Sequence, residues 1–208
     1  KPTHPELLDW LARYFIEHNW SIKELHRQIM RSAVYQQSAV HPEIASVKRA
    51  DPEEKLLAHF PARRLTAEEL RDGMLCVAGE LSPTMGGPPV FPEINMEAAL
   101  QPRHIMGSVA PPYKPSRTRE ERNRRAIYTA QIRTLMNPML QVLNQPNTDV
   151  SCERRDSTTI TPQAFTLLNS RFANDCALAM AARISKSHTD PAGQISEAFR
   201  LAYGRLPS

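Results

Sequence analysis

The residues best equipped for chemistry lie between Cys152 and Asn169, where the chain reads Cys-Glu-Arg-Arg-Asp-Ser-Thr-Thr-Ile-Thr-Pro-Gln-Ala-Phe-Thr-Leu-Leu-Asn. A thiol, two adjacent guanidinium groups and several hydroxyls stand immediately before a helix start. Guanidinium forks beside hydroxyls can hold a sulfate, phosphate or uronate group through paired, charge-assisted hydrogen bonds. The same groups have a structural use. Arginines can bind helix-terminal carbonyls and buried carboxylates, and hydroxyls can satisfy the backbone of an irregular loop. The candidate anion- or partner-binding set is Arg124, Arg125, Arg154, Arg155, Ser157, Thr158, Thr159 and Gln163. Thr161, before Pro162, reads as a helix N-cap.

Catalysis at Cys152 would require a base and an orienting group. The adjacent arginines favour a thiolate, but no histidine is close in sequence, and His104 and His188 are the nearest. The histidines His4, His18, His26, His41, His59, His104 and His188 form no His-x-x-x-His pair, so no metal is assigned. The acidic pairs Glu53-Glu54, Glu68-Glu69 and Glu120-Glu121 sit at helix starts or in charged loops. There the helix dipole or solvation accounts for them. No catalytic residue is assigned.

The charge is concentrated around this stretch. Residues 103–155 carry ten Arg or Lys and four Asp or Glu, a local +6 against +4 for the whole chain. The chain has 20 arginines and six lysines, which favours bidentate pairing with anionic groups, although a GC-rich genome gives the same bias. Cys76, Cys152 and Cys176 match no zinc or thioredoxin spacing, and three cysteines cannot all pair within one chain. One disulfide or three buried thiols are the alternatives. No Cys-x-x-Cys-His motif and no membrane-length apolar run occur. The opening Lys-Pro-Thr-His-Pro and the closing Gly-Arg-Leu-Pro-Ser read as cuts from a longer protein.

The scaffold that must position these residues reads as mainly α: an irregular helical domain with long proline-rich loops and at most one short strand pair. It is taken as a single domain, residues 1–208, with N-terminal helices in 1–81, a Pro/Arg-rich connection in 82–125 and C-terminal helices in 126–208. Pro5 starts a helix carrying Leu7, Leu8, Leu11, Tyr14 and Phe15 at helical spacing. Ser21 to Glu24 is a capping box opening a second helix with Ile22, Leu25 and Ile29 as its stripe. The short link predicts a helical hairpin with Trp10 and Trp20 as core anchors near its joint.

Residues 38–50 read as loop, and Asp51-Pro52-Glu53-Glu54 as the start of a helix with Leu56, Leu57 and Phe60 inside. Thr66 to Glu69 is another capping box, opening a helix with Leu70, Met74, Val77, Ala78 and Leu81 on one face and Cys76 as a small packed thiol. Eight of the 18 prolines fall in residues 82–116, where Gly86-Gly87 reads as a tight turn and not as a phosphate loop. Residues 126–132 lean towards a short strand. Short helices follow from Pro138 and Thr161. A longer one spans Phe172 to Ile184, with Phe172, Cys176, Ala179, Met180 and Ile184 on its packed side. Pro191 opens the last, with Gly204 just past its end.

Several phrases in order carry a family resemblance. They are His4 to Ala12, Ile29-Met30-Arg31-Ser32, Tyr35-Gln36-Gln37-Ser38, Arg63-Arg64-Leu65 before Ala67-Glu68, Leu70-Arg71-Asp72, Gly86-Gly87-Pro88, Cys152 to Asn169, and Tyr203-Gly204-Arg205-Leu206-Pro207. Together they resemble the planctomycete-specific domain of unknown function that lies C-terminal to planctomycete-type cytochrome c domains in large secreted proteins. The resemblance implies a periplasmic, cell-envelope or secreted setting. It also implies haem in another domain of the parent protein, with no cofactor in this segment. A Cys152–Cys176 disulfide would suit such an exported domain.

The resulting expectation is a non-catalytic interaction or accessory domain. Its partners would be other domains of the parent protein or an acidic or sulfated glycan, with no nucleic acid and no membrane insertion. The alternative is part of a redox or hydrolytic enzyme acting on polysaccharide. Nucleic-acid binding would use the same basic patch, but a recognisable motif and an aromatic stacking platform are missing.

Overall fold

The computed structural model describes residues 2–105 and 107–207, with His104 and Ile105 described by backbone alone. Among them are ten α-helices and one two-stranded antiparallel ladder, so the fold is mainly α. The chain divides into two compact units, residues 1–63 and 64–208. The first contains α1 (Pro5–Glu17), α2 (Ile22–Arg31) and α3 (Ile44–Ala50). The second contains α4 (Ala67–Ala78), α5 (Met96–Ala99), β1 (His104–Ile105), β2 (Ser108–Val109), α6 (Arg119–Arg122), α7 (Pro138–Val142), α8 (Thr161–Asn169), α9 (Arg171–Ser187) and α10 (Pro191–Tyr203). The unit boundary therefore groups α4 with the later helices.

In the first unit α1 and α2 form the expected hairpin. The joint is tight because Asn19 and Trp20 both take positive φ, 54° and 58°. Ser21 accepts from the amide of Glu24 at 3.3 Å and so caps α2. The tryptophans are not core anchors: Trp10 is 44% and Trp20 65% exposed. Each keeps one aromatic neighbour, Tyr14 for Trp10 and Phe15 for Trp20, both at 5.3 Å between centroids. A two-helix layer covers only one side of each helix, and Ile22 and Ile29 of the α2 stripe also remain exposed.

The helix expected from Asp51 is displaced. Residues 44–50 form α3, and Asp51 ends it. Instead of capping a new helix, the buried Asp51 carboxylate accepts from the amide of Leu56 at 2.6 Å, five residues on. Glu54 and Leu57 then adopt positive φ, and the segment closes as a turn. Phe60 still packs, edge-on to Tyr35 at 5.7 Å.

In the second unit α4 is the central element, packed against α9, α7 and a 3-10 turn at Ala126–Tyr128. Thr66 and Glu69 form the expected reciprocal cap, each accepting from the other's amide, at 3.2 and 2.9 Å. The buried face of α4 is rotated from the expected stripe to Ala67, Arg71, Leu75 and Ala78, with Cys76 exposed. One apolar cluster joins Ala67 to Leu140 and Leu143, and a second joins Leu75 and Ala78 to Cys176. Leu75 and Leu140 are each at least 98% buried. Side chains of that kind contribute about 1.5–3 kcal/mol each on burial.

Residues 126–132 are not a strand. Ala126 is pinned by Asp72, whose two carboxylate oxygens accept its amide at 2.8 and 3.0 Å, and the chain curls into the 3-10 turn. Thr129 bridges Val90 in parallel, and Ile132 makes a local antiparallel bridge to Leu135. The proline-rich stretch is thus partly ordered by pairing. Val90 donates to Tyr128, Ala130 donates to Val90, and Ser82 donates to Asn123. The short strand pair is β1 with β2, His104 opposite Val109.

Candidate functional site

The Cys152–Asn169 segment is organised by Gln163, which is 3% exposed at the start of α8. The helix begins at Thr161, so Ile160 and not Thr161 is the N-cap residue. Ile160 has no side-chain acceptor, and the side-chain Oε1 of Gln163 accepts its amide at 3.4 Å instead. The Gln163 amide nitrogen donates to the Val142 carbonyl at 3.0 Å, to Asn144 Oδ1 at 2.7 Å and to Thr158 Oγ1 at 3.3 Å. Thr158 in turn donates to Asn144 at 2.9 Å, and Asn144 takes a positive φ of 67° to meet them. One buried amide therefore joins the end of α7, the polar loop and the start of α8. In such surroundings a lost partner costs far more than a lost surface contact.

The guanidinium serving this loop comes from Arg64, far away in sequence. It donates to the Thr158 carbonyl, to Thr159 Oγ1 at 3.0 Å and to Gln163 Oε1 at 2.8 Å. Arg155 is paired with Glu68 on α4 at 2.6 Å, and this hydrogen bond raises its pKa above the usual guanidinium value. Arg154 is exposed, and its carbonyl accepts the Cys152 thiol at 3.2 Å. Ser157 is exposed and holds no side-chain hydrogen bond among the described residues. Of the candidate set, then, Thr158, Thr159 and Gln163 meet in one network with Arg64 that ties the loop to α7 and α8, while Arg155 ties it separately to α4 through Glu68. Arg154 and Ser157 stay outside it.

Arg124 and Arg125 part company. Arg124 is 6% exposed and donates to the carbonyls of Thr84 at 3.2 Å, Pro88 at 3.3 Å and Gly86. Its guanidinium carbon lies 4.1 Å from the centre of the Tyr128 ring, within cation–π range. The turn at Gly86-Gly87, with φ of 75° and 79°, so presents carbonyl oxygens to a cation. Arg125 is exposed.

Arg71, which the sequence marks only within the Leu70-Arg71-Asp72 phrase, is also spent inside the fold. It is 3% exposed and donates to the carbonyls of Arg124 at 2.9 Å and Arg122 at 2.8 Å, and to Asp72 at 3.1 Å. Burial lowers its proton affinity and the Asp72 carboxylate raises it, so it stays charged at neutral pH. Arg183 does similar work at the end of α4, donating to the carbonyls of Cys76 and Val77 at 3.3 and 2.9 Å. It lines an open groove of about 700 Å³ between α4 and α9 together with Cys76 and Lys186. No spacing rule marks Arg64, Arg71 or Arg183 in advance. Beyond the phrases Arg63-Arg64-Leu65 and Leu70-Arg71-Asp72, the signal is the excess of arginine over lysine.

All three thiols are free, and the expected alternatives resolve into two exposed cysteines, Cys76 and Cys152, and a buried Cys176. Burial raises the pKa of the Cys176 thiol. No Cys152–Cys176 bridge is formed. Among the described residues no three His, Cys, Asp or Glu side chains converge to hold a metal, and no histidine hydrogen-bonds to Cys152. The side chain of His104, one candidate base, lies outside the described residues. No helix among them is long and apolar enough to cross a membrane.

These features define a class: a mainly α-helical domain whose irregular centre is built around arginines that bind main-chain carbonyls. Over residues 1–208 the chain matches PSD1, described as a protein of unknown function (DUF1553), and it belongs to that family. No curated protein and no solved structure matches it.

Proposed function

We propose that this domain is a non-catalytic interaction module that engages an anionic partner through the arginines its own fold leaves unspent. Within residues 103–155 the exposed side chains of Arg117, Arg125, Arg133 and Arg154 make no hydrogen bond or ion pair among the described residues. Arg71, Arg124 and Arg155, by contrast, are committed inside the fold. Unpaired guanidinium forks are free to take carboxylate or sulfate groups in bidentate fashion. An acidic or sulfated glycan is the partner this chemistry fits. The resemblance to the planctomycete domain family supports a periplasmic or cell-envelope setting, with haem carried by another domain of a large exported parent. Within this segment the reading requires no cofactor.

The test is retention of the full chain on a sulfated polysaccharide across salt concentrations, beside a variant with all four unspent arginines changed to alanine. Retention at low ionic strength that falls with salt and is lost in the variant supports the reading. No retention at low ionic strength overturns it, because screening is weakest there.

A second contact, with a neighbouring domain of the parent, is favoured by the apolar surface. The accessible area is 15511 Å², where a monomeric globular protein of 23.5 kDa has about 9,800 Å². Two separate globules the size of units 1–63 and 64–208 would together expose only about 11,600 Å². Leu8, Trp20, Ile22, Phe165, Leu168 and Leu178 are each at least half exposed. Hydrogen exchange on the parent protein, compared with this chain alone, would show slower exchange in α1, α2 or α8 if a neighbouring domain covers them.

A further inference from the structure

Among the described residues of the first unit, Asp51 is the only one buried, and no apolar side chain is. Units of about 60 residues are marginal even with a core, so the α1–α2 hairpin needs a further surface to close on. Leu7, Leu8, Leu11, Tyr14 and Phe15 recur on one face of α1, and that stripe is wider than one neighbouring helix covers. With α2 alongside, Leu11, Tyr14 and Phe15 are half-buried while Leu7 and Leu8 stay exposed. On α2, Ile22, Ile29 and Met30 share a side at i, i+7 and i+8, and all three are exposed. The accessible area of the chain exceeds the total for two separate globules by about 3,900 Å². A stable dimer needs only about 800 Å² from each partner.

Charge says which partner fits. α1 carries Glu6, Asp9 and Glu17 against Arg13, a net −2, and α2 carries Lys23, Arg27 and Arg31 against Glu24, a net +2. Apart from the paired Glu24 and Arg27, these side chains are fully exposed. A partner of one sign would match one helix and repel the other. A second copy related by a twofold axis matches both, because α1 of each protomer meets α2 of the other. An isologous interface requires self-complementarity of this kind.

We infer that the α1–α2 hairpin is a self-association surface, pairing with the hairpin of a second copy of this chain in a four-helix layer. The pairing closes the apolar stripes of both hairpins and sets acidic α1 against basic α2 across the axis. This goes beyond the proposed anion-binding role and uses none of its arginines. The contact with a neighbouring domain of the parent then falls to Phe165, Leu168 and Leu178 in the second unit.

The test is sedimentation equilibrium of the full chain at low salt, over about 1–100 μM. The mass should rise to twice 23.5 kDa. Ile22→Lys, at a position 62% exposed, should hold it at the single-chain value. Two charge variants then read the geometry. Asp9→Lys with Glu17→Lys makes both helices basic, and Lys23→Glu with Arg31→Glu makes both acidic. Every altered side chain is exposed, so each variant keeps the fold. Each should be monomeric alone, and an equimolar mixture should form the dimer again. An unaltered chain that stays monomeric throughout overturns the inference. So does a dimer that survives Ile22→Lys, or a pair of charge variants that does not associate on mixing.

Discussion

The guanidinium of Arg71 donates to the backbone carbonyl of Arg124 at 2.9 Å, and the side chain of Arg124 goes on to collect the carbonyls of Thr84, Gly86 and Pro88. Two arginines in series thereby hold α4, the 122–126 segment and the glycine turn in one piece. This fixes the course of the glycine turn at the start of the stretch with eight prolines, where no strand ladder reaches. Carbonyls that a ladder would satisfy are satisfied by side-chain forks.

Arg71→Met should therefore destabilise the second unit strongly. It leaves the carbonyls of Arg122 and Arg124 without their donor and Asp72 without its charge partner. Breaking a buried pair in this way costs about 3–5 kcal/mol. Arg71→Lys should recover only part of the loss, since one ammonium cannot reproduce the planar fork that spans two carbonyls and a carboxylate. Urea unfolding of both variants checks the order.

Arg124 and Arg125 are adjacent and should behave oppositely. Arg124→Ala removes three carbonyl contacts and the stacking on Tyr128, and should cost about 2–3 kcal/mol. Arg125→Ala and Arg154→Ala, at exposed positions whose side chains have no partner among the described residues, should stay within about 0.5 kcal/mol. Thermal melts give the comparison. Equal losses at Arg124 and Arg125 would count against the division into spent and unspent arginines.

Gln163→Leu should lower stability by about 2–3 kcal/mol, because the Val142 carbonyl, Asn144 and Arg64 would all lose a buried partner. Gln163→Glu should not rescue it. The carboxylate can still accept from Arg64, but it would face the Val142 carbonyl and Asn144 Oδ1 with no proton to donate. Denaturation midpoints of the two variants distinguish loss of polarity from loss of the donor.

The helices were legible in the sequence where local signals agree. Thr66 with Glu69, Asn137-Pro138 and Asp190-Pro191 each begin a helix as their types require, and Gly204 ends the last one in the left-handed region. The polar segment is also visible as dense side-chain chemistry, with Gln163 among its candidate residues. What could not be read was which arginine each carbonyl would meet. Arg64 reaches residues 158–163 and Arg71 reaches residues 122 and 124, separations at which no periodicity carries information. The Asp51 turn failed for a different reason. A residue well suited to an N-cap used the same carboxylate to capture an amide five residues on, and competition of that kind is decided by the rest of the chain.

Asp51 gives a pH prediction with a defined sign. The amides of Leu56 and Lys55 hold its carboxylate below the usual range, so it binds fewer protons folded than unfolded as pH falls through that range. Its contribution is complete above the ordinary Asp pKa of about 3.9 and is lost as pH drops towards the lower folded value. The Leu56 amide resonance should therefore move on acidification, with a midpoint below that of an exposed aspartate. Asp51→Asn should abolish the titration. A midpoint at or above about 4 would contradict the turn described.

The three thiols provide the last test. Cys76 and Cys152 are exposed, while Cys176 is packed between Leu75, Ala78 and Phe172 with its pKa raised by burial. Thiolate is the reactive form, so access and pKa act in the same direction at Cys176. At mildly alkaline pH a disulfide reagent should titrate two thiols quickly in the native chain and the third only after denaturant is added. Cys176→Ser should leave the fast count at two, and Cys152→Ser should lower it to one. A single fast thiol in the unaltered chain, with two more released by reductant, would instead mean that Cys152 and Cys176 pair in solution.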